Sequence, residues 1–283
     1  MNRVILNNGV QMPQMGYGVF RIQDAVQCEQ CVGDALETGY RLIDTAAAYL
    51  NEKAVGRAIA RSGVPREELF ITTKLWIQDS GYDNTLRAFD TSLKSLDLDY
   101  LDLYLIHQPF GDYYRSWQAM ERLYQEGRVR AIGVSNFEPD RLADLCLNHE
   151  IAPMVNQVEI HPFHQQKPAI RAMKDFNVQP QAWGPLFEGQ GNIFRNKLLM
   201  KIGGKYGKTA AQVILRWHIQ RGVAVIPKSV HRERMAENFN VWDFALTDQD
   251  MAEIAKLDIG HSEIVDIRSV STAKWLNGWK IHA

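Results

Sequence analysis

From residue 14 to residue 256 the chain alternates short apolar runs with longer stretches of helical periodicity. The apolar runs fall at 14–20, 41–44, 69–74, 101–107, 130–134, 154–160, 178–183 and 223–227. Helical patterns follow them at 25–38, 52–61, 84–96, 114–127, 139–148, 168–176, 209–221 and 231–238, with one more at 247–256. Parallel strands cannot be joined by a tight turn and need a crossover, usually a helix. Strict alternation therefore points to a parallel sheet, and eight units favour a sheet closed on itself over an open one. The predicted fold is α/β, a (β/α)8 TIM barrel forming one domain over residues 1–283. Ahead of the first unit, Val4-Ile5-Leu6, Asn7-Asn8-Gly9 and Val10-x-Met12 predict a β-hairpin with an Asn-Gly turn.

In such a barrel the C-terminal strand ends build the active site. Asp44 ends the run at 41–44, and Tyr49 follows five residues later. Lys74 ends the run at 69–74, and His107 the run at 101–107. Each residue alone is most simply structural; one acid, one phenol, one amine and one imidazole at the same end of one sheet suggest catalysis. The strings that carry them are LIDTAAAY at 42–49 with Asn51-Glu52, TTKLW at 72–76 and DLYLIHQP at 102–109. GVSNF at 133–137, VNQVEIHP at 155–162 and IPKSV at 226–230 follow in order, with Arg234 and Glu237-Asn238 beyond. Over about residues 3–258 this pattern resembles the aldo-keto reductase family. WGPL at 183–186 and the short tail are similar to its bacterial diketogluconate-reductase-like branch. The resemblance implies a barrel whose N-terminal mouth is closed by the hairpin. It also implies an enzyme that reduces aldehydes or ketones to alcohols with NADPH.

The four groups suit that chemistry. A free phenol, with a pKa near 10, is a sluggish acid at neutral pH. A neighbouring ammonium lowers that pKa, and Lys74 is expected to supply it. Asp44 would hold the ammonium in place, and His107 would donate a hydrogen bond to the carbonyl oxygen. Phe20, Trp76 and His107 are expected at the substrate wall, an apolar surface with one polar end.

A dinucleotide fingerprint is absent: Gly16-Tyr17-Gly18 runs on into Val19-Phe20-Arg21 and opens no helix. The resemblance places the cofactor on the barrel rim instead. Ser135, Asn136 and Gln157 match positions that hydrogen-bond the nicotinamide amide, and Trp183 the aromatic on which its ring stacks. Lys228, Ser229 and Arg234 match an adenosine 2′-phosphate clamp, which two cations and a hydroxyl suit. Glu237 and Asn238 resemble adenine contacts. Gly184, Leu186 and the Gly-rich stretch to residue 196 suit a loop over the pyrophosphate. Simpler alternatives stand beside these: Ser135-Asn136 as a helix cap, Trp183 in the core, Arg234 solvated.

Two departures from the family pattern bear on specificity. Gln108 stands where many relatives carry Trp, which makes the pocket more polar. His231 stands where a second cation is common, which bears on the choice of NADPH over NADH. The tail after Asp258 does not resemble long substrate-gating tails.

Composition narrows the remaining classes. A net charge of −1 with scattered basic residues offers nucleic acid or anionic membrane no general attraction. No apolar stretch reaches spanning length, and no N-terminal apolar segment suggests secretion. The expected partner is a small carbonyl compound, and the expected state a cytoplasmic monomer. Cys28-x-x-Cys31 lies within a helical pattern with no second Cys/His pair, which favours ordinary helix thiols over a metal site. His161 and His164 likewise lack further ligand spacing, and no metal is expected. Two other functions remain: a lyase using Lys74 as a Schiff base, and a cofactor-binding partner protein without catalysis. The first leaves Trp183, Lys228 and Arg234 without a role; the second calls for a partner-binding segment beyond the barrel.

Overall fold

The computed structural model describes residues 2–283. Strands β1 (Arg3–Ile5) and β2 (Gln11–Pro13) form the N-terminal hairpin. Its turn needs Gly9, whose φ of 84° is costly for any side chain. Asn7 Nδ2 donates to Pro153 O (3.1 Å) and Asn8 Nδ2 to Arg130 O (2.9 Å). Both carbonyls lie just ahead of strands of the barrel, so the hairpin caps its N-terminal end.

Eight parallel strands follow in sequence order: β3 (Tyr17–Gly18), β4 (Leu42–Asp44), β5 (Phe70–Leu75), β6 (Leu103–Ile106), β7 (Ile132–Ser135), β8 (Val155–Glu159), β9 (Gln179–Trp183) and β10 (Ala224–Val225). A parallel bridge between Met15 and Val225 joins the two edges, with Gly16 N donating to Val225 O (2.8 Å) and Gly18 N to Pro227 O (3.2 Å). The barrel therefore closes. The first predicted run, 14–20, keeps only two regular residues because it lies at this seam. The approach there is close: a Cβ on Gly16 would fall 2.2 Å from Leu42 Cδ2, and one on Gly18 3.1 Å from Ile226 O. The strands are buried on both faces, as their near-continuous apolar runs require.

Helices α1 (Ala25–Thr38), α2 (Glu52–Arg61), α3 (Tyr82–Leu96), α4 (Tyr113–Gln125), α5 (Pro139–Asn148) and α6 (Lys167–Asp175) each follow one strand. Asp24 caps α1, and Gly39 ends it at φ 113°. Two helices, α7 (Lys197–Tyr206) and α8 (Ala210–Gln220), both follow β9; α9 (Arg232–Phe239), α10 (Asp248–Ala255) and α11 (Val270–Gly278) complete the chain. The sequence pattern predicts neither α7 nor α11.

Within the short tail after Asp258 the structure adds a helix, α11, that the sequence pattern did not mark. It leaves the barrel wall and crosses the C-terminal mouth, where Leu276 packs with Ala48, Trp76 and Ile77. Trp76 Nε1 donates to Trp279 O (2.8 Å), and Gln78 Nε2 to His282 O (2.9 Å). A short tail thus returns to the end of the barrel where the strand-ending residues collect. Among the described residues, no helix is long and apolar enough to cross a membrane.

Candidate active site

Strand register sets Asp44 opposite Thr72, so Lys74 lies one inward-facing position further along β5. Its side chain is fully buried, and its ammonium pairs with Asp44 Oδ1. It also donates to Thr45 O (2.9 Å) and to Tyr49 Oη (3.4 Å). The second Asp44 oxygen accepts from Gln157 Nε2 (2.8 Å), which also reaches Gln181 Oε1 (2.8 Å). Tyr49 ends a single helical turn, Ala47–Tyr49. Asn51 pins the loop beneath it: Thr45 Oγ1 donates to Asn51 Oδ1 (2.8 Å), and Asn51 Nδ2 to Val19 O (3.0 Å).

His107 stands just past β6, edge-on to Tyr49 (ring centroids 5.5 Å apart) and to Trp76 (5.3 Å). Asn136 Nδ2 anchors its carbonyl at 3.1 Å. Its ring makes no hydrogen bond among the described residues, and Nδ1 is shielded from solvent. Burial pushes His107 well below the ordinary imidazole pKa, and the Lys74 charge adds to this. The ring is therefore neutral at pH 7.

The direction for Tyr49 differs from expectation. Burial raises its pKa well above the ordinary phenol value, with Asp44 and then Glu188 adding to it. Burial likewise lowers Lys74, against the pull of Asp44. Proximity of an ammonium alone would lower the phenol pKa, but the cost of burying a phenolate is larger here. Tyr49 is thus held as a neutral phenol.

These groups floor a cavity of about 900 Å³, within the range of small-molecule and cofactor sites. Every other site residue expected from the sequence lines it: Phe20, Trp76, Ser135, Asn136, Gln157, Trp183, Gly184, Leu186, Lys228, Ser229, Arg234, Glu237 and Asn238. Only Lys74 lies beneath rather than on its wall. Ser135 and Asn136 cap no helix, since α5 begins after Glu138. They tie two strand ends and Trp183 together on the cavity wall instead. Ser135 Oγ donates to Gln157 O (2.8 Å), and Trp183 Nε1 to Asn136 Oδ1 (2.8 Å).

At the other end, the exposed Lys228 and Arg234 form no ion pair among the described residues, whereas neighbouring Arg232 is engaged by Asp34 and Glu37. Two free cations beside Ser229 on one cavity wall fit a dianionic phosphate. The donor set therefore fits NADPH.

The sequence offered no pointer to several further lining groups. Arg21 and Glu188 form an ion pair (2.8 Å) at the mouth, and Trp275, Leu276 and Trp279 come from α11 and its end. Two tryptophans within five residues, after a Ser269 cap, are the signal that would have flagged that segment.

Cys28 and Cys31 are buried free thiols of α1, and burial raises both. His161 is held by Glu159 (2.9 Å). Among the described residues, no group of three or more His, Cys, Asp or Glu could hold a metal ion.

Residues 14–259 match the model of the Aldo/keto reductase family. The chain is 50% identical over 262 residues to the 9,11-endoperoxide prostaglandin H2 reductase of Trypanosoma cruzi, covering 91% of this chain and 92% of that one. It is 50% identical over 256 residues to the glyoxal reductase of Bacillus subtilis, covering 90% and 92%. A solved aldo-keto reductase of Bombyx mori in complex with NADP superposes with a TM-score of 0.90 at 35% identity, covering 96% of each chain. A closed eight-stranded barrel, a Lys–Asp pair beneath a tyrosine and these relatives converge: the chain belongs to the aldo/keto reductase family.

Proposed function

We propose that Tyr49 is the proton donor of this NADPH-dependent carbonyl reductase, with Lys74, Asp44 and His107 as its supporting groups. The observation that carries this is the Lys74 ammonium, which contacts Asp44 and the Tyr49 hydroxyl at once, beside an imidazole with no protein partner. When bound, NADPH supplies the hydride. The chain's own residues do the rest. Tyr49 is a protonated phenol at neutral pH, and burial suppresses its phenolate further; the phenol is the form needed to protonate a developing alkoxide. As the proton leaves, Lys74 stabilises the phenoxide at 3.4 Å, and Asp44 holds Lys74 in place. Neutral His107 donates an N–H to the carbonyl oxygen; it is a poor acid itself because its imidazolium is suppressed. Phe20 and Trp76 wall the substrate end.

Ser135, Asn136, Gln157 and Trp183 are assigned to the nicotinamide, with Gly184 and Leu186 over the pyrophosphate. Lys228, Ser229 and Arg234 are assigned to the 2′-phosphate, and Glu237 and Asn238 to the adenine. All these residues come from one chain, which supports a monomer as the working unit and a single domain over 1–283. Three free thiols suit the cytoplasm. The Schiff-base alternative is disfavoured because Lys74 is buried beneath the cavity and ion-paired.

The test is cofactor discrimination. NADPH should be oxidised with a panel of aldehydes and ketones, and NADH more weakly. Arg234→Leu removes a charge-assisted contact of roughly 1.5–3 kcal/mol. It should raise the KM for NADPH about tenfold to hundredfold and leave that for NADH nearly unchanged. Equal effects on both cofactors would remove Arg234 from the 2′-phosphate site.

A further inference from the structure

Two tyrosines that the reaction does not use are tied to the segment carrying the two free cations. Tyr17 of β3 is buried, and its hydroxyl donates to Ser229 O (2.5 Å). Tyr40, between α1 and β4, is also buried, and its hydroxyl donates to Met235 O (3.0 Å). The two rings meet edge-on with centroids 5.9 Å apart, and Tyr40 packs on Phe239 at the end of α9 (4.7 Å). Burial raises both phenols, so both remain donors.

A buried phenol usually finds an acceptor somewhere, so the choice of acceptor carries the information. Tyr104 is buried as fully, and its hydroxyl has no partner among the described residues. The acceptors of Tyr17 and Tyr40 bracket one stretch of chain instead. Ser229 directly follows Lys228, and Met235 directly follows Arg234. Each held carbonyl thus belongs to the residue next to one of the two cations.

Neither end of that stretch is fixed by regular structure alone. Strand β10 ends at Val225, and Lys228 and Ser229 lie past the bond from Gly18 N to Pro227 O (3.2 Å). Helix α9 is eight residues long, and His231 before it offers no side-chain cap. A binding site has to hold its groups to within about 0.5 Å of the productive geometry. Long Lys and Arg side chains cannot do so from a backbone that shifts. We infer that Tyr17 and Tyr40 are positioning residues for these cations, Tyr17 fixing the backbone beside Lys228 and Tyr40 that beside Arg234, and that together they set the preference for NADPH over NADH. The inference rests on the assignment of Lys228, Ser229 and Arg234 to the 2′-phosphate.

The experiment measures dissociation constants for NADPH and for NADH by tryptophan quenching in the wild type, Tyr17→Phe, Tyr40→Phe and, as a control, Tyr104→Phe. Each change removes one hydroxyl and keeps the ring. The wild type should bind NADPH the more tightly. Loss of one hydrogen bond of ordinary strength should raise the NADPH dissociation constant about three- to tenfold in Tyr17→Phe and in Tyr40→Phe, with that for NADH changed by no more than about twofold. Tyr104→Phe should leave the ratio of the two constants unchanged. At saturating NADPH, kcat should be unaltered in all three, since Tyr49 and His107 lie at the other end of the cavity. Circular dichroism identifies the folded variants, and either Tyr17→Phe or Tyr40→Phe decides the matter by itself. Equal loss for both cofactors, an unchanged ratio, or a shift as large in Tyr104→Phe would overturn the inference. A wild type with no preference for NADPH would instead overturn the 2′-phosphate assignment on which it rests.

Discussion

At the scale of residues, Asp44, Lys74 and His107 were legible because each ends an apolar run, and a strand end in a parallel barrel faces the site. Tyr49 was legible from its place between such an end and a helix start. The direction of its pKa was not. Pairing with Lys74 can be anticipated from two residue types, but burial is a property of everything packed around them, and here burial wins. Lys228 and Arg234 were singled out only by resemblance, since no local spacing marks two cations brought to one cavity wall by a strand end and a helix. If Tyr49 is the proton donor, Tyr49→Phe keeps the ring and loses only the acid. Turnover should fall by about 10²–10⁴-fold while NADPH still quenches tryptophan fluorescence. Near-normal turnover in a folded variant would return the role to His107.

At the scale of elements, helices α1 and α2 were readable to the residue, because Asp24, Gly39 and the apolar periodicity bound them clearly, whereas α5 begins at Pro139 and not near Ser135-Asn136, since Pro139 is preset for the first helical turn. All the barrel strands except β5 are shorter than their apolar runs, since burial continues past the last ladder bond. Helix α7 was missed although Asn196 caps it and Gly207 closes it at φ 64°; its Gly-rich approach masks the periodicity. It matters to the fold because it holds α10. Asp250 accepts from Lys205 Nζ (2.5 Å) and Tyr206 Oη (2.5 Å) of α7, and shares a capping box with Thr247. Burial alone would raise the Asp250 carboxyl, but these hydrogen bonds outweigh it and bring it down to about 2. A depressed folded pKa gives stability that is present above the unfolded value of about 3.9 and is lost as pH falls through about 2. Asp250→Asn should therefore cost about 2 kcal/mol at pH 7 and about half of that at pH 3. Urea unfolding at the two pH values checks this; an equal penalty at both would show that the carboxylate charge contributes nothing.

At the scale of the whole molecule, the eightfold alternation was enough to predict a closed barrel, because short apolar runs separated by helices leave few other ways to bury every strand; that the hairpin caps it was implied only by resemblance. The tail was not legible in this way. Helix α11 belongs to no βα unit, and its apolar side is recognisable only once Trp76 and Ala48 are seen to leave a surface for Leu276. Barrel, rim loops and tail together line a cavity with Tyr49 at its floor and the exposed Lys228 and Arg234 at its far end. The most direct measurement of what that enclosure does is the fate of deuterium placed at the transferable position of NADPH during reduction of an aldehyde. Carbonyl reduction at this site predicts one deuterium on the carbinol carbon of the alcohol and one NADPH consumed per alcohol formed. Alcohol free of deuterium, or no alcohol with the aldehyde instead trapped on Lys74 by borohydride, would contradict it.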